Sequence, residues 1–214
     1  MTLPIELTEE WFPPELLVRD KQLKELKKLI KNQHSIYVSG MTGIGKSLTT
    51  RALLTDLNQD YYTVYAPPRS GIIDTIRNGL FEKGEPARWT SPDLQDQITQ
   101  LGDHVLIAMD DFHSLMEPKV RNTALYFLKG LYDMMKTKLQ LIIISKSGFV
   151  RFQKDCPKEV FNRFWFKSLP FPQYVPDELT LLLEQRVKRV WPKYDVAGLK
   201  LISAKMARYG EMRM

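Results

Sequence analysis

Gly40-Met41-Thr42-Gly43-Ile44-Gly45-Lys46-Ser47 matches the spacing G-x-x-x-x-G-K-[ST]. Each residue type has a chemical reason. Glycines at 40, 43 and 45 let the backbone curl closely around a phosphate, where a Cβ would intrude. Amides at the start of a following helix point at the anion, and the helix dipole favours it. Lys46 supplies a mobile ammonium for β and γ phosphates, and the Ser47 hydroxyl can coordinate Mg²⁺. The expected nucleotide contacts are Gly40, Thr42, Gly43, Ile44, Gly45, Lys46, Ser47 and Leu48. About 60 residues further on, Asp110-Asp111 closes an apolar run. Nucleotide hydrolysis needs one carboxylate near the metal and a second to orient the attacking water. Asp110 suits the first task and Asp111 the second.

These residues need elements to hold them. Ser35-Ile36-Tyr37-Val38 precedes the glycine loop and reads as a strand over 35–39, and Leu48–Leu54 continues as a helix to about Asn58. Tyr61–Tyr65 is β-branched and aromatic, hence strand-like. Val105–Met109 and Leu139–Ser145 are continuously apolar, the mark of strands covered on both faces in a parallel sheet. Val120–Lys136 is helical, and Phe161–Phe166 reads as a further strand. Before the loop, Glu15–Lys31 reads as a helix with Leu16, Leu23, Leu26, Leu29 and Ile30 largely on one face and Asp20 as its N-cap. Residues 1–14, with Pro4, Pro13 and Pro14, read as an extended arm. Helices are expected within 72–81 and 93–101, joined by a turn at 84–86. Pro170–Pro176 looks like a hinge, followed by helices over Asp177–Trp191 and Val196–Tyr209. The alternation of strands and helices indicates an α/β fold with a parallel sheet over residues 1–173 and a small helical lid over 174–214.

Composition sets further bounds. The chain has 214 residues, 43% hydrophobic and 26% charged, ample for a buried core. A single cysteine, Cys156, excludes an intrachain disulfide and fits a reducing compartment. No apolar run approaches the roughly 20 residues of a membrane span, and no signal-peptide pattern opens the chain, so an intracellular protein without a membrane partner is expected. Net charge is +6, and residues 185–214 hold eight basic against two acidic residues, equal to the whole excess. That segment is either a solvated helical face or a surface for nucleic acid or an acidic partner. His34, His104 and His113 lack metal-ligand spacing and read as packing or surface residues, and Cys156 has no partner base.

The chain resembles the AAA+ ATPases, and among them the origin-recognition and helicase-loader (Orc/Cdc6-type) initiators. Pro14-Glu15-Leu16-Leu17-Val18-Arg19-Asp20 is similar to that family's N-terminal box, which implies that Val18 and Arg19 lie against adenine. Asp110–Leu115 is similar to its D-E-x-x-x-L, and Leu141–Ser145 to its sensor 1 strand. Leu169–Tyr174 with Leu179, Leu183 and Arg186 resembles the start of its lid, and Ala207–Arg213 its sensor 2 motif, which places Arg213 on the nucleotide. Arg163 falls where its arginine finger would lie. The resemblance implies ATP/ADP and Mg²⁺ as cofactors, Lys46, Asp111, Arg163 and Arg213 as catalytic residues, and Ser47 and Asp110 at the metal. It implies DNA as a partner, bound weakly, with self-association or another AAA+ subunit supplying the finger. Three departures stand out. Asp111 replaces the usual Glu, Lys146 stands where sensor 1 has Asn, and the family's winged-helix DNA-binding domain has no counterpart in these residues. The expected function is therefore a slow ATPase acting in replication initiation or helicase loading through ATP-controlled assembly on DNA. An AAA+ transposition regulator or target selector, a group that shows an acidic pair followed by Phe/Ile-His-x-Leu, as in Asp111-Phe112-His113-Ser114-Leu115, is the alternative. A nucleotide-dependent scaffold with little hydrolysis is a third reading, favoured by Asp111 and Lys146.

Overall fold

A computed structural model of the chain describes residues 13, 16–57, 61–66, 104–115, 117–135, 139–191 and 193–209. The helices expected within 72–81 and 93–101, most of the N-terminal arm, and Arg213 lie outside the described residues. Five strands are described: β1 (Ile36–Ser39), β2 (Tyr62–Ala66), β3 (Val105–Met109), β4 (Leu139–Ser145) and β5 (Lys167–Pro170). Helices α1 (Asp20–Lys31) and α2 (Lys46–Leu57) flank β1. A short 3₁₀ turn, Phe112–Ser114, follows β3 and leads to α3 (Pro118–Met135). Between β4 and β5 lie α4 (Phe149–Asp155) and α5 (Lys158–Phe164), and α6 (Pro176–Val190) and α7 (Val196–Tyr209) come last.

The described sheet runs β2-β3-β4-β1-β5, and every pairing among the described strands is parallel. β4 lies between the strand that feeds the glycine loop and the strand that ends in the acidic pair. In register, Ser39 sits opposite Ser145 and Pro170, and Met109 opposite Ile143. The loop, Asp110 and Lys146 therefore emerge at one edge, the carboxyl ends of the strands. The chain leaves β1 in one direction for β2 and later returns past it to β5, a topological switch point where open α/β sheets bind ligands.

The buried runs read from the sequence form strands because both sheet faces are covered. Ile36, Val38, Leu106, Ala108, Ile142 and Ile144 pack on one face with α1, α2 and Leu179 of α6. Tyr37, Val105, Ile107, Met109, Leu141 and Ile143 pack on the other with α3, α4 and α5. On that second face Tyr37 stacks on Phe152 at 4.3 Å, and Phe152 meets Phe166 edge-on at 5.2 Å.

Two local expectations are corrected. The first helix begins at Asp20, not Glu15; Arg19 holds the capping position, and no side chain caps it. Val18 just before it has φ 72°, which turns the chain out of any continuous helix. Phe161–Phe166 is not a strand. Most of it belongs to α5, and β5 begins at Lys167. Val160 and Phe164 are buried four residues apart, which is a helical spacing. Their apolar side chains mimic β-propensity while serving a helix face.

Candidate nucleotide-binding site

The loop between β1 and α2 has the backbone its glycines predict. Gly40, Gly43 and Gly45 have φ of 149°, 80° and 84°. A Cβ on Gly45 would stand 2.5 Å from the Tyr174 hydroxyl, and one on Gly40 would meet the Phe171 carbonyl at 2.8 Å. These two glycines thus answer to the Phe171–Tyr174 segment as well as to a phosphate. Lys46 opens α2 and is nearly buried; its Nζ donates to the carbonyls of Gly40 at 2.9 Å and Met41 at 2.6 Å. Burial lowers its pKa, while Asp110 and Asp111 act to raise it. Thr49 and Thr50 donate back to the carbonyls of Gly45 and Lys46, which tightens the first turn. Thr42, Gly43 and Leu48 are half-buried around it, and the Ile44 side chain is buried in the core.

Asp110 meets α2 directly. Its Oδ1 accepts from the Ser47 hydroxyl at 3.0 Å and from the Asp111 backbone N–H at 2.8 Å, and its Oδ2 accepts from the Tyr65 phenol. Burial, then the bond to Asp110, raises the Tyr65 pKa, so the phenol stays a donor. A serine hydroxyl beside a carboxylate suits Mg²⁺, which takes one or two protein ligands and draws the rest from phosphates and water. Asp111 is exposed and left-handed, with φ 44°. His113 Nδ1 lies 4.0 Å from Asp111 Oδ1 and accepts from the Lys146 N–H at 3.4 Å. Burial lowers the His113 pKa, so we read a neutral imidazole bridging the acidic turn to the end of β4 rather than an ion pair. Lys146 is exposed there, beside the buried Ser145.

Arg19 lies buried behind the loop. It is 2% exposed, its Nε donates to the Ile44 carbonyl at 3.1 Å, and a terminal nitrogen donates to Pro172 O at 2.9 Å. Its guanidinium lies 3.9 Å from the Tyr174 ring centroid. The fork therefore clamps the phosphate loop to the segment entering α6. Val18, half-buried beside it, holds a positive φ that a β-branched residue adopts only under constraint. Arg163 projects from α5, where its Nε and terminal nitrogen reach Asp133 Oδ1 at 2.7 and 2.6 Å, and it lies over Tyr132 at 5.2 Å.

The structure thus brings Lys46, Ser47, Asp110 and Asp111 together at one sheet edge, with Arg19 and Val18 behind the loop. Arg163 occupies a separate groove with Lys129, Asp133, Glu159 and Asn162. Tyr65 and His113 are the site neighbours that sequence reasoning missed. A tyrosine near the end of a strand flanking the acidic strand was the available sign for the first.

Comparisons with known proteins bear on the family and the fold. An ORC1-type DNA replication protein from Thermococcus kodakarensis is 25% identical over 236 residues, covering 97% of this chain and 56% of that protein. An ORC1-type DNA replication protein 2 from Haloarcula marismortui is 24% identical over 212 residues, covering 85% and 50%. The chain spans about half the length of these curated relatives. Among solved structures, Aeropyrum pernix ORC2 in its ADP form superposes with a TM-score of 0.77 at 18% identity, covering 96% of this chain and 62% of that one. Aeropyrum pernix ORC1 in complex with DNA gives 0.75 at 20% identity, covering 95% and 58%. Both carry the same fold. The family model described as "AAA domain" matches residues 27–151, from α1 through the glycine loop and acidic pair into α4. By that match, over more than half its length, the chain belongs to the AAA domain family, in keeping with an Orc/Cdc6-type AAA+ protein.

Proposed function

We propose that this chain binds ATP with Mg²⁺ at the glycine loop, hydrolyses it slowly, and uses its nucleotide state to control assembly on DNA in replication initiation or helicase loading. One observation carries the nucleotide reading. The hydrogen bonds of Lys46 go to neutral carbonyls, so its charge is available to a phosphate, while Ser47 and Asp110 stand together beside it. In this reading residues 1–173 hold the nucleotide under a lid formed by 174–214, and Arg213 reaches it from that lid. The DNA role is supported by the basic excess of residues 185–214 and by the replication proteins to which the chain is similar. Arg163 serves a neighbouring subunit, after leaving Asp133. A second reading, a switch with little turnover, is favoured by the short, exposed and left-handed Asp111. No described helix is long and apolar enough to cross a membrane.

Thermal unfolding with and without ATP or ADP tests the first step. At a ligand concentration of 100 Kd, binding adds about 2.7 kcal/mol, and Lys46→Ala removes most of that gain. An unchanged gain in Lys46→Ala overturns the assignment. Turnover then separates the two readings: an ATPase loses activity in Asp111→Asn while retaining ATP, whereas a switch shows none to lose, with or without duplex DNA. DNA affinity falls steeply between low and moderate salt, with little base preference.

A further inference from the structure

Tyr65 stands near the end of β2, opposite Ala108 of β3. Its ring packs against the core on the α1/α2 face, and the Arg51 guanidinium of α2 lies 4.6 Å from its centroid. From there its hydroxyl reaches across to Asp110 Oδ2. The other carboxylate oxygen already holds the Ser47 hydroxyl and the Asp111 amide. A carboxylate offers about four lone-pair directions. Among the described residues three are occupied, by donors from three separate elements: α2, β2 and the turn after β3. The plane of Asp110 is thereby fixed, and no further described residue takes the remaining direction on Oδ2.

We infer that Tyr65 is a positioning residue for the divalent cation that accompanies the nucleotide, acting through Asp110; this rests on the nucleotide reading above. With Oδ2 held, Asp110 cannot rotate away from Ser47. The Ser47 proton stays directed at Oδ1, and the Ser47 lone pairs stay free for an ion. Without the phenol, the carboxylate can swing and present either oxygen, so the cation loses a preorganised partner while the phosphate loop keeps all its own contacts. A phenol that merely satisfied its own burial would leave metal dependence unaltered.

The test is a Mg²⁺ titration at fixed ATP, read by thermal shift, in the wild type and Tyr65→Phe, with a metal-free arm in chelator. Tyr65→Phe removes the hydroxyl, with its bonds to Asp110 and Arg51, and leaves the ring against the Arg51 guanidinium. The Mg²⁺ concentration at half-maximal stabilisation is expected to rise about tenfold, the size of one hydrogen bond to a charged group. Metal-free ATP should stabilise both proteins alike, and melting without ligand should be close to wild type. A Mg²⁺ midpoint within about twofold of wild type overturns the inference. So does a parallel loss of metal-free binding, which would make Tyr65 a support of the whole loop. If Tyr65→Phe does not fold, Arg51→Met carries the test by freeing the ring while keeping the hydroxyl. A smaller rise, again selective for Mg²⁺, is then expected, and no rise overturns the inference. Failure of the nucleotide reading itself looks different: the wild type would show no shift with ATP, with or without metal.

Discussion

Helices α1 and α2 cover one face of the sheet and α4 and α5 the other, yet the two layers are held by different interactions. On the α1/α2 face, directional polar ties reach backbone carbonyls. Arg19 bonds Ile44 and Pro172, and the buried Gln140 of β4 donates to Ile30 O at 3.0 Å and His34 O at 3.3 Å at the end of α1. On the α4/α5 face the same strands meet rings: Tyr37 contacts Phe149 and Phe152, which lead on to Phe161, Phe166 and Phe164. A phosphate loop needs its carbonyls and amides fixed to fractions of an ångström, which oriented hydrogen bonds do and apolar packing does not. The aromatic layer supplies bulk stability and carries Arg163 on its outer side. Damage to the aromatic face should cost stability alone, and damage to the other should cost ligand binding as well.

The sharpest way to break that contrast is Phe152→Ala, at the centre of the rings. It should destabilise the fold by about 3–5 kcal/mol in denaturant titration. ATP affinity of the folded fraction should stay within about threefold; a larger loss would mean the two layers are not independent. Arg19→Lys probes the other face by keeping the charge and losing the fork. We expect a stability loss of about 2 kcal/mol and ATP binding weakened about tenfold, measured by calorimetry. Intact ATP binding would show that the clamp does not shape the loop.

Smaller effects sharpen the picture. Cys156, buried in the aromatic layer, has its thiol pushed up to about 12 by burial. The native state then keeps a proton that the unfolded chain releases above about pH 8.5. This contribution to stability is full below that pH and is lost as pH rises toward the native value, at no more than ~1.4 kcal/mol per pH unit. Cys156→Ala should flatten that part of the pH profile, and iodoacetamide should label the wild type only on unfolding. Fast labelling of the native protein would show that the layer opens. The smallest structural effect belongs to Asp133→Asn. Its ion pair with Arg163 is solvent-accessible and contributes little to melting temperature. Releasing Arg163 should nevertheless raise turnover at high protein concentration if a neighbour uses it. Unchanged turnover would leave Arg163 as a groove residue.

The sequence was most legible where one residue type answers one demand. The continuous apolar runs at 105–109 and 139–145 are strands because both faces are buried, and the glycines at 40, 43 and 45 take the positive φ that their motif implies. Legibility failed where apolar residues serve a short helix. The seven residues of α5 span barely two turns, too few for a helical period to outweigh the strand preference of Val160, Phe161 and Phe164. It failed again where a side chain's partner is remote. Arg19 has its hydrogen-bond acceptors in carbonyls 25 and 153 positions away, and Tyr65 meets Asp110 across 45. Spacing along the chain carries no trace of such ties, because they are set by strand order.

The Arg19–Pro172 bond also has a consequence in time. A chain is made from its N-terminus, and contacts between distant positions wait for the later partner. β1, the glycine loop and Arg19 leave the ribosome early, but β5, the Pro172 carbonyl and Tyr174 do not yet exist then. A nascent chain arrested before β5 should not retain ATP on an affinity resin. One long enough to expose Tyr174 beyond the exit tunnel should retain it. If the Arg19 clamp shapes the loop, the loop is synthesised early but becomes competent only once the segment that closes it has arrived.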